Sequence, residues 1–202
     1  MNFEKGYLYH IYNQGNNRQK IFFERENYLF FLQKIKSHIT PFANMLAWCL
    51  MPNHFHLMVR VNELELTLVT TGSATQSRAP SSRITTLNKE IGIMIASYTR
   101  AIQKQEEITG SLFKQKTKAE CLNSPSGITP SFYNTKYGTQ MHLDNPKKEY
   151  PQVCFHYIHQ NPVKANMVKL ETDWEFSSAQ DYAGIRKGTL VNKDVTKQYV
   201  EF

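Results

Sequence analysis

Two apolar runs, 43–51 (ANMLAWCLM) and 54–61 (HFHLMVRV), are separated only by Pro52-Asn53. A pair of turn-forming residues between two strand-like stretches predicts an antiparallel hairpin with a tight turn, and this constrains the fold more than any other feature of the chain. Successive side chains of a strand point to opposite faces. His54 and His56 therefore share one face, and Phe55, Leu57 and Val59 share the other. The result is a two-nitrogen shelf backed by a core. Such a shelf can hold a metal ion, although a zinc site needs at least three protein ligands, or it can be two histidines bonded to neighbours and water on a half-exposed sheet. His-x-His alone leaves both readings open.

Other elements follow from periodicity. GYLYHIYN (6–13) alternates, with Tyr7, Tyr9 and Ile11 on one face and Leu8, His10 and Tyr12 on the other, and reads as a first strand. Residues 25–39 carry Tyr28, Leu29, Leu32, Ile35 and Ile39 near helical spacing, stopped at Thr40-Pro41. Residues 84–107 form a second helix through Leu87, Ile91, Met94, Ile95, Tyr98 and Ile102. Residues 111–122 read as a last strand, with Lys114, Lys116 and Lys118 on one face, either a rail for phosphates or a charged edge that resists aggregation. The order strand, helix, strand, strand, helix, strand predicts an α+β fold: a ferredoxin-like antiparallel sheet in split βαβ order with its helices on one face. Residues 62–84, rich in small hydroxylated side chains, read as a flexible insertion. Residues 123–148, punctuated by Pro and Gly, read as an irregular loop in which Tyr133 and Tyr137 are candidates for stacking on bases.

With 202 residues and 41% apolar content, the chain has the size of one domain, 1–202, with a core. A formal charge of +7 favours polyanionic partners. Cys49, Cys121 and Cys154 are odd in number and widely spaced, which suggests neither a disulfide framework nor a zinc ribbon. No run of about 18 apolar residues is present to span a bilayer, and no leader pattern opens the chain, so the expectation is a cytoplasmic protein without membrane contact.

EYPQVCFHYIHQNPVK (149–164) supplies the second constellation. Pro151 suits a first helical turn and Pro162 disfavours helical geometry at Asn161, so a short C-terminal helix ending there is expected. Tyr157 and Asn161, four apart, point the same way. Two imidazoles, an amide oxygen and a phenol together have the parts of a phosphodiester-cleaving site. A phenol of pKa near 10 needs metal or general-base help to act as a nucleophile.

Taken together, MPNHFHLMV (51–59), GSLFKQK (110–116), YIHQNPVKANMV (157–168) and WEFSSAQDYAG (174–184) resemble the single-tyrosine HUH transposases, and within them the REP-associated tyrosine transposase branch. The resemblance implies that His54 and His56 are the paired metal ligands, that Tyr157 on the C-terminal helix is the nucleophile, and that Asn161 is the third, amide ligand, with Gln160 a poorer substitute. It implies a ferredoxin-like fold, single-stranded DNA next to a hairpin or inverted repeat as partner, and a 5′-phosphotyrosine with a free 3′-hydroxyl as intermediate. The divalent ion implied is Mg²⁺ or Mn²⁺, and two imidazoles suit manganese better than magnesium. Arg18, in the polar loop after the first strand, joins Lys114, Lys116 and Lys118 as a candidate DNA contact. The long segments 62–83 and 123–148 depart from compact members of the family. Whether the protein works as a monomer or as a homodimer exchanging the tyrosine stays open. Two other readings compete: a non-catalytic DNA-hairpin-binding protein of the same fold, and a zinc-dependent hydrolase recruiting His156 or His159 as a third nitrogen.

Overall fold

A computed structural model describes residues 1–70, 81–123, 134–135, 138–139 and 146–202. In chain order these form β1 (Leu8–Gln14), α1 (Arg25–His38), β2 (Ala43–Met51), β3 (His54–Val61), β4 (Glu65–Thr70), β5 (Ser81–Thr86), α2 (Leu87–Gln105) and β6 (Lys118–Cys121). The two-residue strands β7 (Asn134–Thr135) and β8 (Gly138–Thr139) follow, then α3 (Pro146–Lys164) and the single turns α4 (Ala179–Tyr182) and α5 (Lys193–Thr196).

The expected hairpin is β2–β3, and it extends into a four-stranded antiparallel sheet in the order β2-β3-β1-β6. Strand parity divides the sheet into two faces. Phe55, Leu57 and Val59, with Tyr9 and Ile11 of β1, pack against α1 and α2 through Phe31, Ile35, Ile91, Met94 and Tyr98. On the other face Leu8, Ala47, Cys49 and Met58 pack against Tyr150, Cys154, Phe155 and Ile158 of α3. A bulge between Met45 and Ala47 adds one residue to β2, so Leu46 and Ala47 both reach the α3 face. The sheet is thus sandwiched, with α1 and α2 on one side and α3 on the other.

Several boundaries differ from those the sequence predicts. Leu29 is 42% exposed, and fully buried Phe31 takes its place, because the buried stripe of α1 runs Tyr28-Phe31-Ile35. Strands β4 and β5 pair from Glu65↔Thr86 to Thr70↔Ser81, so both ends of the expected insertion are a strand ladder, while 71–80 lie outside the described residues. A hydroxyl-rich sequence hides this pairing, since Thr and Ser serve a solvated two-stranded arm as readily as a loop. Helix α2 begins only at Leu87 because the Thr86 side chain accepts a hydrogen bond from the Lys89 N–H and caps it. Helix α3 runs through Pro162 to Lys164 instead of stopping at Asn161. A proline so close to a helix end forfeits a single interior hydrogen bond, and the chain leaves the helix through Asn166 at φ 54°.

Where the arm meets α2, Glu90 is buried with its carboxylate bonded to His38 Nδ1 at 2.6 Å and to the Thr85 hydroxyl at 2.7 Å, with Arg83 3.6 Å away. Burial raises its pKa, but the bonds to His38 and Thr85 outweigh that and hold it below the usual carboxylate value. A depressed native pKa stabilises above the unfolded pKa, about 4.3 for Glu, and that contribution is lost as pH falls through the lower native value. Glu90→Gln is therefore expected to lower stability at pH 7 by about 1–3 kcal/mol. Denaturation in urea at pH 7 and again at pH 3 should find the gap from wild type narrowing at the acid end; a gap that widens there contradicts the assignment.

Candidate active site

On the α3 face, β3 presents His54 and His56 as parity dictates, and the sheet register sets Gln14 and Tyr12 of β1 opposite them. Tyr157 and Asn161 of α3 come down over this pair. The Tyr157 ring lies 5.2 Å from the His56 ring between centroids, in an edge-on arrangement, and Asn161 Oδ1 lies 3.2 Å from His54 Nε2. All four residues belong to one chain, so a complete constellation forms within a single copy.

The Asn161 amide is fixed in orientation. Its Nδ2 donates to the Tyr157 carbonyl at 3.1 Å, which leaves Oδ1 to face His54. The Asn161 amide also favours the ionised form of the Tyr157 phenol. Gln160, the alternative amide, is exposed. Neither histidine of α3 points into the site: exposed His156 pairs with Gln152 at 2.7 Å, and buried His159 bonds the Ser178 hydroxyl at 2.7 Å. Among the described residues no group of three His, Cys, Asp or Glu is placed to hold a metal ion, which leaves the Asn161 amide oxygen as the described candidate for a third ligand.

Burial dominates the electrostatics. It pushes both His54 and His56 below the ordinary imidazole pKa, His56 strongly, while the Asn161 amide oxygen, which favours the protonated ring, partly offsets the shift at His54. Neutral imidazoles are the form that binds metals. Burial also raises the Tyr157 phenol; the Asn161 amide works the other way, and nearby Cys154 and Glu120 add to the rise. At neutral pH this phenol holds its proton more tightly than a free tyrosine, so it needs a positive charge or a proton acceptor to become a nucleophile.

Two atoms test whether a cation fits. His56 Nε2 is buried and has no hydrogen-bond partner among the described residues. His54 has an amide oxygen at each ring nitrogen, Asn53 Oδ1 at 2.6 Å from Nδ1 and Asn161 Oδ1 at 3.2 Å from Nε2. A neutral imidazole has one N–H, and the shorter contact claims it at Nδ1. A nitrogen lone pair then faces an oxygen lone pair, an arrangement that a cation between them relieves. The donor set of two nitrogens and one oxygen thus suits a divalent metal.

Residues not singled out as functional by sequence complete the surroundings. His10 of β1 bonds His56, Nε2 to Nδ1 at 2.9 Å, and stacks on Tyr12 at 4.8 Å between centroids. Tyr12 donates to Glu120 Oε1 at 2.5 Å, and Glu120 Oε2 is buried without a hydrogen-bond partner among the described residues. Lys164 Nζ, at the end of α3, stands 5.5 Å from the centroid of the Tyr157 ring. The β1–β3 and β1–β6 registers bring His10, Tyr12 and Glu120 to the site, and register is not legible in local periodicity.

The basic candidates spread along the rim rather than along one strand. Strand β6 begins at Lys118, whose Nζ is 5.8 Å from the centroid of the Tyr12 ring. Residues 114–117 bow away from β1 because the Asn13 side chain fills the gap, donating to the Lys114 carbonyl and the Thr117 hydroxyl. Lys114 and Lys116 are exposed there, but they do not share a strand face with Lys118. Arg18 is exposed on the loop after β1, and its carbonyl accepts a bond from Asn53 beside His54. That loop turns tightly at Gly15, where a β-carbon would sit 2.1 Å from the Gln19 carbonyl oxygen, and its Gly15 N–H bonds the Asn53 carbonyl. Tyr133 and Tyr137 lie outside the described residues.

In sequence, neither a family profile nor a curated protein matches the chain significantly. In structure, it is similar to a REP-associated tyrosine transposase solved bound to a REP hairpin, with a TM-score of 0.50 over 95% of this chain and 92% of the other, at 15% identity. At that identity the likeness speaks for the fold: the chain shares the α+β architecture of a hairpin-bound tyrosine transposase.

Proposed function

We propose that the protein is a metal-dependent transposase-like enzyme that cleaves and rejoins single-stranded DNA through Tyr157. The observation that carries this reading is the meeting of Tyr157 and Asn161 with His54 and His56, from elements about a hundred residues apart in sequence, at a place where His56 Nε2 has no hydrogen-bond partner among the described residues. The sheet order supports it too. With the β4–β5 arm set aside, β1-α1-β2-β3-α2-β6 follows a split βαβ path, and β2-β3-β1-β6 is the ferredoxin-like order.

In this reading the phenol oxygen of Tyr157 attacks the scissile phosphorus, the bond to the 3′-oxygen breaks, and a 5′-phosphotyrosine remains beside a free 3′-hydroxyl. The phenolic proton is lost and the leaving oxygen gains one, so no nucleotide cofactor is consumed and the step is reversible. Nε2 of His54, Nε2 of His56 and Oδ1 of Asn161 would hold a divalent ion, Mn²⁺ or Mg²⁺, which supplies Lewis-acid polarisation of the phosphate. Asn161 orients the phenol and faces His54 with the same amide. Lys164, Lys118, Lys114, Lys116 and Arg18 supply positive charge around the mouth for the DNA backbone.

The test is to incubate the protein with labelled single-stranded oligonucleotides carrying hairpins, with Mn²⁺ and with excess EDTA. A denaturation-resistant protein–DNA adduct that forms with Mn²⁺ and falls at least about 100-fold on chelation is expected. Hairpin retention that ignores metal, with no adduct on any substrate, would instead favour a non-catalytic hairpin-binding protein of the same fold.

A further inference from the structure

We infer that His10 and Asn53 are positioning residues that hold His56 and His54 in the same tautomer, proton on Nδ1 and lone pair on Nε2, so that both Nε2 atoms are offered to a divalent cation. The inference rests on the proposed metal site and assigns the groups behind it.

Two contacts carry it. His56 Nδ1 and His10 Nε2 are 2.9 Å apart, and a proton between them can belong to either ring. If it belonged to His10, the N–H of neutral His56 would sit on Nε2, which is buried and has no hydrogen-bond partner among the described residues. A buried N–H without an acceptor is costly and rare. Donation from His56 Nδ1 to His10 Nε2 avoids that cost and leaves a lone pair at the orphaned atom. At His54 the 2.6 Å contact from Nδ1 to Asn53 Oδ1 has the same effect. The Asn53 amide is oriented in turn by its Nδ2, which reaches the Arg18 carbonyl at 3.4 Å.

The two supports differ in kind. Asn53 is the second residue of the β2–β3 turn and adjoins His54 in sequence. His10 comes from the neighbouring strand, held by the β1–β3 register and packed against the rings of both His56 and Tyr12. A metal-bound histidine commonly donates its second ring nitrogen to a carboxylate, carbonyl or water, and removing such a partner weakens metal affinity about 10- to 100-fold. Here a second imidazole takes that part at His56 and a side-chain amide takes it at His54.

Long-range ¹H–¹⁵N spectra of ¹⁵N-histidine-labelled, metal-free protein, together with Mn²⁺ titration by calorimetry, test the assignment. Wild type is expected to show both His54 and His56 protonated at Nδ1. In His10→Phe the His56 tautomer should become mixed and Mn²⁺ affinity fall about 10- to 100-fold, while His10→Gln, which keeps an acceptor, should recover most of it. Asn53→Ala and Asn53→Asp form the matching pair at His54. A wild-type His56 protonated at Nε2 overturns the inference, as does a folded His10→Phe with unchanged tautomer and affinity. Wild type with both tautomers as expected but no Mn²⁺ binding supports the positioning roles and removes the metal from the proposed function, so the two failures are distinguishable.

Discussion

Tyr157→Phe is expected to abolish the covalent protein–DNA adduct and to lower cleavage of hairpin-flanked single-stranded DNA by at least about 1,000-fold, while leaving the fold and Mn²⁺ binding in place. The substitution removes one oxygen. The ring keeps its edge-on packing against His56 and His10, at 5.2 and 6.0 Å between centroids, and loss of a hydroxyl's hydrogen bonding costs roughly 1 kcal/mol. Asn161 keeps its bond to the carbonyl of residue 157 and its approach to His54, so the candidate ligand set is undisturbed. Adduct on denaturing gels, cleavage rate and thermal midpoint should be measured on one preparation. Cleavage that survives the change would point to a water nucleophile and refute the tyrosine mechanism; the hydrolase reading requires that result.

The second large effect concerns the fold. Asp181, 1% exposed, accepts bonds from Arg186 Nε and Nη2 at 2.7 and 2.9 Å and from the Gly188 N–H at 3.1 Å. Arg186 goes on to the carbonyls of Glu175 and Ser177 and lies 5.2 Å from the centroid of the Trp48 ring. This ion pair braces the segment after α3 internally, and the segment meets β2 through Ser178 on Trp48, Phe176 on Leu50 and the guanidinium beside the Trp48 ring. Asp181→Ala leaves a partly buried guanidinium and a backbone N–H without their acceptor, and should cost about 3–5 kcal/mol, a fall in Tm of roughly 6–20 °C for a chain of this size. Asp181→Leu combined with Arg186→Met should recover much of that loss, since an apolar pair carries no uncompensated charge. Thermal and urea denaturation of the single and double variants measures both. A single variant within about 1 kcal/mol of wild type would show that the pair is not what braces the segment.

These two outcomes separate parts of the chain that the sequence presents alike. Tyr157 and Asp181 both fall in stretches that resemble a transposase, yet one faces the candidate site and the other braces the scaffold. Alternation was enough to predict that His54 and His56 share a face, and i, i+4 spacing was enough to put Tyr157 with Asn161. The partners of those residues were not legible. His10 sits in GYLYHIYN as one aromatic-rich alternation among several, and only the pairing of β1 with β3 makes it the neighbour of His56. Pro162 misled in the other direction, because a preference against helix at residue 161 is small beside the packing of α3 on the sheet through Cys154, Phe155 and Ile158. The arm β4–β5 was hidden by its composition, and the bow at 114–117 by an asparagine side chain that takes the place of a ladder bond.

The parity of β3 makes strand length as informative as residue identity. One residue gained or lost between His56 and Leu57, with the rest of the strand held in register, would turn the imidazoles toward α1 and α2 and bring Phe55 out beneath α3. Many substitutions would leave the candidate site in place, whereas such an insertion or deletion would dismantle it. Strand β2, its hairpin partner, accommodates an extra residue at the Met45/Ala47 bulge, and it carries none of the proposed chemistry.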